Sequence, residues 1–306
     1  MSARHPERSR GIPLRCLEAN IRDSSTSLRS APLRMTTKAP PETLGIIAGN
    51  GVYPRLLAEA ARKAGVKKII AAAFTNETDP GITQHVHLIE WMRVGQLNRL
   101  LKFFNQNKVH HAIMAGQIAP KNLFDLRPDW KALLLLGKLK ERNAESIFAA
   151  IADELTRIDV ELLPATTFLE DCLVPAGLIA GAKLSRREEE DVDLGWKIAK
   201  EIARLDIGQT VIAKNGTVVA VEALEGTNEA IRRGGSLARQ GAVMVKVAKP
   251  NQDMRFDAPV IGVETIRVAA DAKLRVIAVE AGKTLLLEPE AIAYLAAHSK
   301  LSIIAR

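Results

Sequence analysis

The residues of this chain that can do chemistry concentrate between Ala220 and Gly262. Two strings carry them, AVEALEGTNEAIRR over 220–233 and KVAKPNQDMRFDAPVIG over 246–262. Each grows out of an apolar strand-like run, 217–224 or 242–248, and opens into charged, Gly, Pro and amide residues. That layout suits the rim of a sheet in an α/β protein, where ligands sit beyond the strand ends. Glu222 lies inside an otherwise apolar run, so its carboxylate needs a cation partner or a site. Glu225 precedes Gly226-Thr227, a strand-to-helix turn that places it to reach solvent and a metal ion. Asp257 follows Lys246, Lys249, Gln252, Asp253 and Arg255. Among those cations its pKa is expected to fall, leaving a carboxylate able to hold Mg²⁺ through oxygen. Lys246, Lys249 and Arg255 suit phosphate oxygens, arginine with bidentate geometry. The plainer reading is ordinary ion pairing of Glu222 and Glu225 with Lys246 or Arg232, and a solvated loop in which Asp257 caps a turn.

The elements that must position these groups form two α/β blocks. LGIIA (44–48) reads as a buried strand followed by the glycine turn Gly49-Asn50-Gly51 and a helix from Tyr53 to Ala64. Strands at 67–74, 85–91 and 109–115 and a helix over 95–107 continue the alternation expected of a parallel, doubly wound sheet. AGQ (115–117) leaves the strand ending at Ala115 at its carboxyl end, which makes Gly116 and Gln117 candidates for ligand contact beside Gly49, Asn50 and Gly51. The turn spacing is G-x-x-x-G-x-G, however, and no acidic residue closes the next strand, which argues against a dinucleotide fingerprint. Helices follow near 130–140 and 143–158. Residues 166–181 lack a sustained period and read as a linker. The second block opens with a long helix over 185–205 carrying a Ser185/Glu188 capping box. An Asn215-Gly216 hairpin and alternating strands and helices follow to 305, implying a mixed sheet. The expected organisation is an extension over 1–42, a Rossmann-like domain over 43–165, a linker over 166–181 and a catalytic α/β domain over 182–306.

Composition narrows the function. The net charge is +8, but residues 1–34 contribute seven arginines against three acids, so the rest of the chain carries too little excess to argue for nucleic acid. Cys16 and Cys172 are isolated, which excludes a disulfide framework or a cysteine zinc site and suits a reducing cytoplasmic setting. No apolar run reaches the roughly 18–20 residues needed to span a bilayer. His85 and His87 alternate on a strand without a third ligand, and His110 and His111 sit at the far end from the site. G-x-S-x-G, P-loop and H-E-x-x-H motifs are absent. Residues 1–34 are expected to be disordered, with Met35 as an alternative start.

Five strings together resemble one family: AGNGVYP (48–54), AGQIAP (115–120), RLDIGQ (204–209) and the two site strings. The resemblance is to LpxI, the two-domain UDP-2,3-diacylglucosamine pyrophosphatase of lipid A biosynthesis, and runs in order over about residues 43–306. It implies Mg²⁺-dependent hydrolysis to 2,3-diacylglucosamine 1-phosphate and UMP by attack at the β-phosphorus, with substrate held between the domains. It implies a homodimer in the cytoplasm, with peripheral contact at the inner membrane. The family's essential aspartate falls on Asp257. Asn228 departs from the Asp usual after E-G-T, and Gln117 from the usual Asn. From the family comes Asp257 alone; together with the reading of the residues above, Asp257, Glu222 and Glu225 are expected in catalysis, Asp257 and Glu225 at a metal, and Thr227, Asn228, Lys246, Lys249, Gln252 and Arg255 at the substrate. Acyl chains would need an apolar cleft, for which Leu133–Leu136 are candidates. Two other readings compete: a UDP-sugar or nucleotide-binding protein without catalysis, and a nucleotide-dependent oxidoreductase.

Overall fold

Apolar runs of Ile, Leu and Ala without polar alternation suit strands buried on both faces, and three of them form the centre of the five-stranded N-terminal sheet of the computed structural model. The structure describes residues 39–118, 128–139, 144–250 and 252–306; the Arg-rich stretch and Met35 lie outside these. Strands β1 (Thr43–Ala48), β2 (Lys68–Phe74), β3 (Leu88–Met92), β4 (His111–Ala115) and β5 (Glu161–Leu162) are all parallel, in the order β3-β2-β1-β4-β5. Helix α1 (Tyr53–Lys63) covers one face. Helices α2 (Leu97–Gln106), α3 (Trp130–Lys138) and α4 (Ala144–Thr156) cover the other. The chain reverses direction across the sheet between β1 and β4, which opens a ligand crevice at their carboxyl ends.

The C-terminal sheet is mixed, as expected. Its order is β6-β13-β11-β9-β7-β8, formed by β6 (Gly177–Ala180), β7 (Thr210–Lys214), β8 (Thr217–Val221), β9 (Val243–Lys246), β11 (Val276–Val279) and β13 (Ser302–Ala305). Helix α5 (Arg186–Arg204) packs on one face; α6 (Thr227–Ala238), α7 (Val263–Asp271) and α8 (Pro289–His298) pack on the other. The Ser185/Glu188 capping box opens α5. The Asn215-Gly216 hairpin forms with φ of 50° and 73°, the primed-turn geometry that matches strand twist. Buried Asp191 of α5 clasps it, accepting from Asn215 N at 2.8 Å and Gly216 N at 2.7 Å. Residues 166–181 are more structured than their lack of period suggests. They hold a 3₁₀ turn, Glu170–Cys172, and the edge strand β6, which pairs antiparallel with β13. A four-residue strand is too short to show a period.

A short parallel ladder joins the blocks. Strand β10 (Val260–Ile261) pairs with β12 (Leu285–Leu286), and Val260, Leu285 and Leu287 pack into the core beneath α1 with Leu44, Ile46 and Leu57. Ile261 and Leu286 pack instead into the core of the C-terminal sheet, so the ladder has residues in both cores, and the chain from Pro40 on forms one compact unit.

At the end of β1 and β4 the backbones cross at contact distance. Gly49 N donates to Ala115 O and Asn50 N to Gln117 O, both at 2.7 Å. A Cβ at Gly116 would lie 2.4 Å from Asn50 O, and its φ is +88°. Alanine there meets fixed backbone in a strained conformation. Gly116→Ala is expected to destabilise the protein by about 2 kcal/mol or more, measured by urea unfolding; a change under about 0.5 kcal/mol would show that the crossing yields freely.

Candidate active site

The face of the C-terminal sheet beneath α6, α7 and α8 is apolar until its last rung. Along β7, Ile212 gives way to Thr210; along β9, Met244 gives way to Lys246; beyond β8, Ala220 gives way to Glu222. Strand register puts these three polar residues side by side. Thr210 is the ladder partner of Lys246, and Glu222 N donates to Thr210 O at 2.8 Å. All three are buried, Lys246 and Glu222 at 3% and 7% exposure. Two opposite charges out of water are tolerable only when hydrogen-bonded. Here the link is Thr227, the first residue of α6. Lys246 Nζ donates to Thr227 Oγ1 and Thr227 Oγ1 donates to Glu222 Oε1, each at 2.7 Å. Among the described residues Glu222 Oε2 and Thr210 Oγ1 are buried without a hydrogen-bond partner, which marks this rung as a place where a ligand is expected. Gly208 lets the Asp206–Gln209 loop seal the rung, since a Cβ there would sit 2.1 Å from Glu222 O.

Asp257 is held in the segment after β9. Ala248, which opens that segment, is fixed through its N–H to Glu280 Oε2 at 2.8 Å and its carbonyl to Lys200 Nζ at 3.3 Å. Lys249 N donates to Gln252 Oε1 at 2.8 Å, and a turn closes with Asp257 N on Asp253 O at 3.0 Å. Alternation then anchors Asp257 from both sides. Phe256 packs beneath α2 and α4 and meets Phe148 at a ring distance of 5.8 Å, while Ala258 packs beneath α1 on the opposite face of the N-terminal sheet. Burial raises the Asp257 pKa; Lys249, Gln252 and Lys246 pull it down, Asp206 reinforces the rise, and the net direction is upward. This corrects the expectation of a lowered value. The cations are present, but Lys249 also contacts Asp206, and desolvation outweighs the attraction that remains.

The remaining expected residues divide. Glu225 is exposed; its Oε1 accepts from Arg233 and its Oε2 from Ala223 N. Partial burial acts upward on its pKa, and those hydrogen bonds outweigh it and hold the carboxyl below the usual range. Arg255 is exposed and turned onto Asp253, with Nη2 to Oδ2 at 2.6 Å. Asn228 follows Thr227 in the first turn of α6. Gly49, Asn50, Gly116 and Gln117 form the crossing described above, and Gly51, at φ +88°, has open space around its Cα. His87 Nδ1 accepts from Ile69 N at 3.0 Å and His85 faces Glu59, so the two rings have separate partners. Among the described residues no group of three or more His, Cys, Asp or Glu could hold a metal ion. The sequence reading assigns no role to Thr210, Gln209, Asp206 or Phe256. Asp206 and Gln209 lie within the RLDIGQ string, Thr210 directly after it and Phe256 within the second site string, and those positions are the available signal.

Phe256 also lines an apolar cavity of about 120 Å³ with Ile47, Phe74, Leu100, Met114 and Leu135. Gly49 and Gly116 form its edge, and Ala132 and Leu136 also border it. Leu133 and Leu134, expected in the same cleft, face solvent instead, because consecutive helical residues point in different directions. The cavity and the Asp257 carboxyl are thus adjacent along one short segment.

Comparison with known proteins decides the family. The LpxI N-terminal domain family matches residues 43–172 and the LpxI C-terminal domain family matches residues 175–304. The chain belongs to the LpxI family. The UDP-2,3-diacylglucosamine pyrophosphatase LpxI of Caulobacter vibrioides is 30% identical over 260 residues, covering 81% of this chain and 92% of that protein. Among solved structures, the biotin carboxylase domain dimer of Hydrogenobacter thermophilus 2-oxoglutarate carboxylase aligns with TM-score 0.26 at 9% identity, over 64% of this chain and 41% of that one. That likeness is too slight to inform either fold or site. The five-stranded parallel sheet falls within the N-terminal LpxI match, and the β10–β12 ladder and nearly all of the six-stranded mixed sheet fall within the C-terminal match.

Two substitutions test the geometry. A carboxyl whose pKa is higher in the fold than in the unfolded chain favours folding while protonated, and that contribution is lost as pH rises through the folded value. Asp257→Asn is therefore expected to raise the melting temperature at neutral pH, with the gain shrinking in acid below the ordinary aspartate range. An unchanged or lower melting temperature at neutral pH would contradict the desolvation account. Thr227→Val removes the link between Lys246 and Glu222 and leaves both buried charges short of a partner. It is expected to cost about 1–3 kcal/mol, read from urea unfolding; a neutral outcome would mean that the two charges are satisfied without it.

Proposed function

We propose that this protein hydrolyses the diphosphate of UDP-2,3-diacylglucosamine, releasing 2,3-diacylglucosamine 1-phosphate and UMP, as a cytoplasmic homodimer that meets its lipid at the inner membrane. The observation that carries the reading is the placement of the Asp257 carboxyl. One neighbour, Phe256, lines an apolar cavity, and the carboxyl itself is under the influence of Lys249 and Lys246. A diacylated sugar diphosphate has that sequence of properties: apolar chains, then a doubly charged diphosphate. The Caulobacter relative bears the name of this activity.

In this mechanism Lys246 and Lys249 take up phosphate charge. Asp257 orients the attacking water and accepts its proton as the water oxygen bonds to phosphorus and the anhydride bond to UMP breaks. A carboxyl with a raised pKa is the better base for that step. The lysines act in a site with little water, where charge stabilisation is strongest. Mg²⁺ is part of the proposal. Such ions are commonly held by one or two carboxylates together with substrate phosphates, and the Oε2 of Glu222, without a partner among the described residues, fits that donor chemistry, as does the Asp257 carboxyl. When bound, the ion would neutralise diphosphate charge and acidify water. Glu225, with both oxygens engaged, we place instead as an anchor of the β8–α6 turn through Arg233.

Asp257→Ala is expected to lower kcat by about 10³-fold or more in a radiolabelled UDP-diacylglucosamine assay, with UMP release also lost in EDTA. Retained turnover would remove Asp257 from its role. In the intact enzyme the acid limb of kcat/KM is expected above the ordinary aspartate range, the direction set by burial of Asp257. A second reading, binding of UDP-sugars without turnover, draws on Asn228, which supplies no charge at the start of α6. UDP-sugar binding without UMP release by the purified protein would favour it.

A further inference from the structure

Helix α3 has two apolar faces, and among the described residues one of them packs inside the protein while the other is exposed. Ala132 and Leu135 are buried against the cavity that Phe256 closes. On the outer side Trp130 is 62% exposed and Leu133 and Leu134 are each 56% exposed. These three sit at i, i+3 and i+4, so they form one patch. Lys138, exposed in the last turn, extends the Trp130–Leu134 row by one further turn, and Lys131 lies between, its ammonium 2.9 Å from Glu154 Oε2. No helix among the described residues is long and apolar enough to cross a membrane.

We propose that the outer face of α3 docks on an anionic lipid bilayer and brings the mouth of the apolar cavity to the membrane surface. A short helix with an aromatic and two leucines on one side and an exposed lysine, Lys138, at the end of that row is built to lie at the interface, its apolar side chains among the acyl chains and Lys138 at the headgroups. A second copy of the chain is a poorer occupant. Three side chains on a nine-residue helix offer far less than the roughly 800 Å² per partner of a stable protein interface. The same helix lines the cavity with Ala132, Leu135 and Leu136, so an acyl chain leaving the bilayer beside α3 would pass from one apolar surface to the next without crossing water. The proposal deepens the reading of a diacylated substrate and rests on it for that last step.

The test is sedimentation of the full chain with vesicles of phosphatidylethanolamine and phosphatidylglycerol. It compares the unmodified protein, the double variant Leu133→Ser/Leu134→Ser, and a control, Leu237→Ser, which removes an equally exposed leucine from α6. The unmodified protein and the control are expected to bind, and the double variant to partition about tenfold more weakly. Turnover of detergent-dispersed UDP-2,3-diacylglucosamine is expected to be equal in all three. Three results would overturn the docking face. They are no vesicle binding by the unmodified protein, undiminished binding by the double variant (capture by the arginines of residues 1–34, for instance), or a change in oligomeric state caused by the double substitution without lipid. Vesicle binding that depends on Leu133 and Leu134, in a protein that turns over no substrate, would uphold the surface and remove the hydrolase reading instead.

Discussion

Everything else in the site follows from holding the Asp257 carboxyl in a half-buried position between two α/β blocks. A carboxyl taken out of water resists ionisation, and its neighbours only partly offset that cost. The position persists because the chain on either side is fixed by apolar contacts. Phe256 and Ala258 are locked into cores on opposite faces of the N-terminal sheet, and Val260 enters a ladder with Leu285. Hydrophobic burial on both sides supplies the free energy that an ionised carboxyl would otherwise lack.

The second polar element follows another logic. Lys246, Thr210 and Glu222 replace apolar residues on the last rung of a sheet face that is otherwise Ile, Met and Ala. Their charges are joined through one hydroxyl, Thr227. Such a network is rigid when complete and costly when broken. A fixed ammonium and a carboxylate with a spare oxygen suit a ligand that brings both negative charge and a cation.

The two blocks thus contribute unlike properties to one region. The N-terminal sheet offers an apolar cavity at its switch point, edged by the Gly49/Gly116 crossing. The C-terminal sheet offers charge. The segment 252–260 belongs in sequence to the second block but packs into the first, and it is what sets cavity and charge side by side. Substrates with an apolar and a diphosphate part can be recognised only where both are in reach.

Taken alone, the sequence settles most of the strand and helix order, both sheet types, the hairpin at Asn215-Gly216 and the α5 capping box; it misses the edge strand β6 in the expected linker. Period, turn residues and unbroken apolar runs are local signals, and each of these features is written locally. The family is also legible, because its strings are long and lie in order. Relations between distant residues needed the packed fold. Glu222 and Glu225 look alike in sequence, yet register buries the first beside Thr210 and Lys246 and leaves the second to Arg233. Leu133 and Leu135 look alike too, and helix rotation turns one outward and the other into the cavity. The pKa of Asp257 moves against the reading of its charged neighbours, because the sequence shows which charges are near in the chain but not how much water the fold removes.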